Sequence, residues 1–335
     1  MNVTSDRSDW QQNDKELSIL ELFRVQHERS PECIAVCYGA EKITYKELNI
    51  RSDLLSAQLK RNDADSSIVG ISTGKNIGMI VGLLAILKAG KAYLPLDPDN
   101  PPARIKQLIR ETHIQICLCA KKEFVFFNSL ETKVSLLATD AAYDEHSVKN
   151  ENPAELVYVL YTSGSTGLPK GVCMRQSSMV NLLQWQQKNS SASVGTKTLQ
   201  FAPLGFDVSF QEIFSTLVTG GELVLVDEDR RLDPLLLLQF IEEKSIQRIF
   251  LPFVALQLLA EAANTHHLFP ASLQEVITAG EQLQITPQVI RFFSSIPYCQ
   301  SLRKHQWFPC ILKTDIHCFP ALHRRFPKKS FVADP

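Results

Sequence analysis

From about residue 18 onward, short apolar runs of strand length alternate with longer stretches of helical period, and this alternation is the strongest constraint on how the chain folds. Ser18 to Arg29 sets Ile19, Leu20 and Phe23 on one face and stops at the Ser30-Pro31 break, which predicts an amphipathic helix. Strands are expected over Cys33 to Tyr38, Ser67 to Ser72, Leu156 to Tyr161 and Glu222 to Val226, and around Ile249 and Val276. Thr44 and Glu47 have the spacing of a capping box and open a helix that runs to about Arg61. Further helices are expected over Asn76 to Ala89, closed by Gly90, after Pro101-Pro102, over Ser177 to Gln187, from about Asp233, and over Phe253 to Ala262. Repeated strand–helix units of this kind predict an α/β fold with largely parallel sheets covered on both faces.

Composition narrows the function classes. The 335 residues suffice for one large or two ordinary domains, and 44% apolar against 21% charged residues is the balance of a globular protein with a sizeable core. Thirty-five basic residues against thirty-six acidic ones exclude the strongly basic nucleic-acid binders and the acidic solvating tails. The longest apolar run, Ile77 to Leu87, is shorter than the roughly 20 residues that a membrane-spanning helix needs, so a buried helix and no membrane partner are expected. Residues 1–17 are polar and lack the regions of a secretory signal. With eight cysteines and no CxxC pair, a cytoplasmic protein with reduced thiols is the expectation.

The segment with the clearest chemistry is Leu160 to Gly171, Leu-Tyr-Thr-Ser-Gly-Ser-Thr-Gly-Leu-Pro-Lys-Gly, placed after an apolar strand and, on the sequence pattern, before a helix. Gly164 and Gly167 allow backbone N–H groups to approach phosphate oxygens, four hydroxyls add donors, and Lys170 adds a point charge. The spacing is not G-x-x-x-x-G-K-[ST], and there is no G-x-G-x-x-G, so neither common nucleotide-binding loop is present. Farther on, Asp207 lies between Phe206 and Val208, where a carboxylate needs a partner if buried. Capping the helix that follows is the simpler alternative.

The loop at 160–171 resembles the phosphate-binding signature of the adenylate-forming superfamily. The likeness extends to the amino-acid adenylation domains of non-ribosomal peptide synthetases. Thr44-Tyr45-Lys46-Glu47-Leu48-Asn49 is similar to their first core motif, and Leu87 to Pro98 to the second. The loop matches the third, and Phe206-Asp207-Val208-Ser209-Phe210 with Glu212-Ile213-Phe214 matches the fourth. Ala279-Gly280-Glu281-Gln282-Leu283 is similar to the segment bordering the adenine and amino-acid sites.

The resemblance implies the large N-terminal domain of these enzymes, two sheet-and-helix subdomains, over 18–300, without their small C-terminal domain. It implies ATP and Mg²⁺ as cofactors, and transfer of the aminoacyl adenylate to phosphopantetheine on a separate peptidyl carrier domain. Thr162, Ser163, Gly164, Ser165, Thr166, Gly167 and Lys170, with Gly280 and Glu281, are the implied nucleotide contacts, Thr166 and Lys170 being the catalytic pair. The amino-acid pocket maps to Asp207, Val208, Gln211, Phe250, Ile277 and Ala279, with Asp207 receiving the substrate's α-ammonium. This set is similar to that of members activating proline or methylated proline. Alternatives are an acyl- or aryl-CoA ligase of the same superfamily, against which Asp207 counts, and an inactive remnant that only binds.

The match stops near residue 300. Residues 301–335 are basic and rich in aromatics and proline, and an irregular or frame-shifted tail ending a truncated chain is the expectation. The adenine-stacking stretch of the family, with its magnesium-binding glutamate, has no counterpart there. Cys310, His317, Cys318 and His323 follow no common zinc-ligand spacing, so no metal site is expected. His266-His267 reads as a solvated turn.

Overall fold

Local capping chemistry starts the helices where the sequence places them. The computed structural model describes residues 17–62, 66–141, 154–162, 170–278, 280 and 283–297, together with the backbone of 301–304. Helix α1 (Ile19–Arg29) begins at Ser18, whose hydroxyl accepts from the Glu21 N–H while the Glu21 carboxylate accepts from the Ser18 N–H. Strands β1 (Ile34–Tyr38) and β2 (Glu41–Thr44) form a hairpin, and Thr44 and Glu47 close the expected capping box of α2 (Tyr45–Arg61). Next come β3 (Ile68–Ser72), the buried helix α3 (Ile77–Lys88), β4 (Ala92–Pro95), and α4 (Pro102–Thr112), which Pro101 and Pro102 open. Gly90, at φ +76°, ends α3 as expected.

Strand β5 (Ile116–Cys119), helix α5 (Phe124–Ser129) and strand β6 (Ser135–Ala138) follow. After them come β7 (Leu156–Thr162), β8 (Lys170–Arg175), α6 (Gln176–Asn189) and β9 (Lys197–Gln200). The chain continues through α7 (Val208–Leu217), β10 (Glu222–Leu225), α8 (Glu228–Leu232), α9 (Pro234–Glu243) and β11 (Arg248–Leu251). Helix α10 (Phe253–His266), β12 (Glu275–Thr278), α11 (Pro287–Ser295) and β13 (Ser301–Lys304) complete the described elements.

The strands form two sheets, ordered β13-β12-β11-β9-β10-β1-β2 and β6-β5-β3-β4-β7-β8. Each is parallel except for one pair, β1–β2 in the first and β7–β8 in the second. Three apolar clusters show how they stack. Helices α1, α2, α3, α6 and α7 share one core with the inner faces of both sheets. Helices α9, α10 and α11 cover the outer face of the seven-stranded sheet, and α4 and α5 that of the six-stranded one. The result is five layers, with the middle helices sandwiched. Period-two alternation does the sorting: Ile116 and Leu118 face inward while Cys117 and Cys119 face α4.

Two expectations are corrected. The Gly/Ser loop does not precede a helix: β8 intervenes, Thr162 pairs antiparallel with Lys170, and residues 163–169 connect a hairpin. Lys170–Arg175 alternates only loosely between half-buried and buried positions, too weak a pattern to mark a strand by itself. The first four residues of the expected irregular tail, Ser301–Lys304, instead form a strand paired in parallel with β12; residues 305–335 lie outside the described residues. Among the described residues, no helix is long and apolar enough to cross a membrane.

Candidate functional site

In open parallel sheets, ligands sit outside the carboxyl ends of the strands, and the expected pocket residues gather at that edge of the seven-stranded sheet. Phe250 and Ile277 lie opposite one another in register on β11 and β12, both buried, on the inner face toward α7. Helix α7 returns antiparallel to these strands, so its first turn meets their carboxyl ends. Asp207 immediately precedes that turn, and Gln211, fully buried, follows one turn later. A turn in which the Phe206 N–H donates to the Pro203 carbonyl delivers the chain to this point, and Ser209 anchors it by donating to the Phe206 carbonyl at 2.6 Å.

The Asp207 side chain makes no capping hydrogen bond, so the capping alternative does not hold. The residue is open to solvent on one side, yet burial raises its carboxyl above the ordinary carboxylate range, partly opposed by the N–H groups of Val208 and Asp207 itself. Its charge in turn helps hold the buried Tyr93 and Tyr158 phenols neutral, an effect that comes second to their own burial for Tyr93 and third for Tyr158. No Lys, Arg or His among the described residues contributes to the shift at Asp207. Val208 is half-buried alongside it, and Phe206, 62% exposed, flanks it on the outside.

Gln211 brings a polar amide into this layer. Its Oε1 accepts from Gln186 Nε2 at 3.0 Å, and its Nε2 is buried without a partner among the described residues. Gln186, on α6, is itself buried and was not anticipated.

At the hairpin, Thr162 is exposed and Lys170 half-buried, facing one another at its mouth. Gly171 lies under the Tyr161 ring, where an added Cβ would stand 3.2 Å from the nearest ring carbon, so a side chain there would push the ring aside. The Arg104 guanidinium lies 5.2 Å from the centre of the same ring. Ser163, Gly164, Ser165, Thr166, Gly167, Ala279 and Glu281 lie outside the described residues. Gly280, at φ +86° just past β12, has the left-handed conformation that favours glycine.

A buried polar network holds the approach to Asp207. Glu212, fully buried, accepts from the N–H groups of Phe201 and Ala202 and from Gln200 Nε2 at 3.0–3.1 Å. Lys75 Nζ donates to the Phe201 carbonyl at 2.5 Å and lies 3.8 Å from Glu228. Burial pushes Glu212 up to about 7 and Lys75 down to about 8, while their mutual attraction opposes both shifts. Among the described residues, no three His, Cys, Asp or Glu side chains converge to hold a metal ion.

A family model described as AMP-binding enzyme matches residues 23–303. Tyrocidine synthase 2 of Brevibacillus parabrevis is 34% identical over 293 residues, covering 86% of this chain and 8% of the synthase. Bacitracin synthase 3 of Bacillus licheniformis is 40% identical over 220 residues, covering 65% of this chain and 3% of the synthase. Zwittermicin A synthase ZmaJ of Bacillus cereus is 33% identical over 283 residues, covering 82% of this chain and 53% of ZmaJ. The chain thus spans a small part of the large synthetases it matches and about half of ZmaJ. The fold is also that of the non-ribosomal peptide synthetase FmoA3 in its AMPPNP-bound form, with TM-score 0.77 and 23% identity over 87% of this chain and 32% of that one.

Proposed function

The chain belongs to the AMP-binding enzyme family, and from that premise we propose that it activates a small cyclic amino acid, proline or methylproline, as the aminoacyl adenylate. The observation that carries this reading is Asp207, a carboxylate with no side-chain capping bond at the first turn of α7, on the edge where Gln211, Phe250 and Ile277 lie buried. A secondary ammonium satisfies that carboxylate by a charge-assisted hydrogen bond, and a compact apolar ring suits the Phe250–Ile277 floor. An acyl or aryl acid brings no such cation.

In the proposed reaction a carboxylate oxygen of the amino acid attacks the α-phosphorus of ATP. The bond from that phosphorus to the bridging oxygen breaks, and pyrophosphate leaves with the electron pair. The chain supplies position and charge rather than a nucleophile. Asp207 orients the amino acid, while Thr162, Lys170 and the loop residues Ser163 to Gly167, Thr166 among them, hold the phosphates. Gly280 and Glu281 border the adenine side, and Ala279 the pocket. Mg²⁺, when bound with ATP, would neutralise charge developing on the phosphates, and no step is assigned to it. The synthetase relatives support transfer of the adenylate to phosphopantetheine on a peptidyl carrier domain.

Calorimetric titration with prolyl and leucyl sulfamoyladenosines tests the reading. Tighter binding of the prolyl compound is expected, weakened by about ten- to a hundredfold in Asp207→Asn, since a hydrogen bond to a charged group contributes roughly 1.5–3 kcal/mol. Equal affinity of the parent and Asp207→Asn would remove Asp207 from the site. No binding to the folded parent would refute the activity.

A further inference from the structure

Directly beneath the pocket layer, on the same faces of the same three elements, lies a second layer that is ionic. Arg248 precedes Phe250 by two residues on β11, and Glu275 precedes Ile277 by two on β12, so strand alternation aims each pair at the same side. Ser215 follows Gln211 by one helical turn on α7. These three residues bind one another. Arg248 Nε donates to Glu275 Oε2 at 3.0 Å and Nη1 donates to Ser215 Oγ at 2.8 Å, with both charged side chains 0% exposed. The guanidinium also packs on the ring of Phe250, 4.7 Å from its centre. Glu275 Oε2 further accepts from the Ser190 and Ser191 hydroxyls at 2.6 and 3.0 Å, tying in the end of α6, the helix that presents Gln186 to Gln211.

Stability alone does not explain this layer. A buried ion pair is often matched or surpassed by apolar side chains of similar volume, and Arg248 Nη2 is buried without a hydrogen-bond partner among the described residues. What the layer supplies that apolar packing does not is direction. Fixed hydrogen bonds lock the relative positions of α6, α7, β11 and β12, whose next residues toward the carboxyl edge are Gln186, Gln211, Phe250 and Ile277.

We propose that Arg248 and Glu275 are positioning residues for amino-acid selection, holding Phe250 and Gln211 in the geometry that discriminates among substrate side chains. This rests on the proposed adenylating site, and it holds whichever amino acid the site prefers.

The test compares the parent chain, Arg248→Lys, and the double variant Arg248→Met with Glu275→Leu. Each is titrated with prolyl sulfamoyladenosine, leucyl sulfamoyladenosine and ATP alone, alongside thermal melts. The expected result is a prolyl-to-leucyl affinity ratio that moves at least about tenfold toward unity in the double variant, with ATP affinity within twofold of the parent and the melt preserved. Arg248→Lys keeps the charge but loses the planar fork to Ser215 and the stacking on Phe250. A shift of the ratio in the same direction is expected there, and this variant decides the matter if the double variant does not fold. A ratio unchanged within twofold in a folded variant overturns the inference while leaving the adenylating site standing. Failure of the parent to bind either aminoacyl compound overturns the functional reading and this inference with it.

Discussion

At Glu212 a carboxylate is removed from water yet surrounded by donors. Two backbone N–H groups and the Gln200 amide point at it, with Lys75 near enough to lower its proton affinity, and burial still outweighs them to raise it from 4.5 to about 7. A carboxyl that binds its proton more tightly in the folded state stabilises fully below its unfolded value, and that contribution is lost as pH rises through the folded value. Denaturant titrations of the parent should therefore show stability falling between about pH 4.5 and 7. Lys75, lowered to about 8 from 10.5, acts outside that window, its contribution present above 10.5 and lost as pH falls through 8. Glu212→Gln should flatten the slope between pH 4.5 and 7 and lower stability by about 1–3 kcal/mol, because the amide aims N–H at N–H. An unaltered slope in that variant would assign the titration to another group. Asp207 announces itself as a charge between apolar neighbours. Glu212, five residues later, looks like any helix-surface acid until the strand exit at Phe201 is folded against it.

Among the elements, α2 shows how much local chemistry a sequence carries. Its start and cap follow from a Thr-x-x-Glu box and its end near Arg61 from helical spacing, and the structure has the helix over Tyr45–Arg61. Thr44→Ala removes the oxygen that accepts from the Glu47 N–H and should cost about 1 kcal/mol, read as a lower denaturation midpoint with unchanged slope. No change would mean that packing of Leu48 and Leu55, both buried, sets the helix start without the cap. Strand β8 is the contrary case. Two glycines and a proline dominate the sequence signal before it, and its own six residues alternate too weakly to outweigh them, so only the pairing with β7 identifies it. The loop's place in a hairpin was not legible.

Across the whole molecule, the two sheets meet through a line of aromatic rings. Tyr93 on β4 lies 5.6 Å from Tyr158 on β7, Tyr158 lies 5.8 Å from Phe210 on α7, and Phe210 stacks on Phe214 at 4.7 Å between centres. This is the contact through which the six-stranded sheet, carrying the Gly/Ser hairpin, is held to the helix whose first turn presents Asp207. Phe210→Ala should cost about 3–5 kcal/mol through the cavity it opens, and it should also weaken prolyl sulfamoyladenosine binding, because Phe210 lies one turn from Asp207. A destabilised variant with unchanged affinity would show that the first turn of α7 is positioned without the inter-sheet contact.

The sequence by itself determined the α/β class and most helix bounds. These depend on residues a few positions apart, where period, capping and charge act within one element. Only the tertiary structure decided that Arg248 meets Glu275 across 27 residues, that Gln186 meets Gln211 across 25, and that Lys75 reaches Phe201 across 126. Parallel strands are joined through crossovers, so the neighbour of a strand residue is set by sheet order and register, which no local pattern encodes.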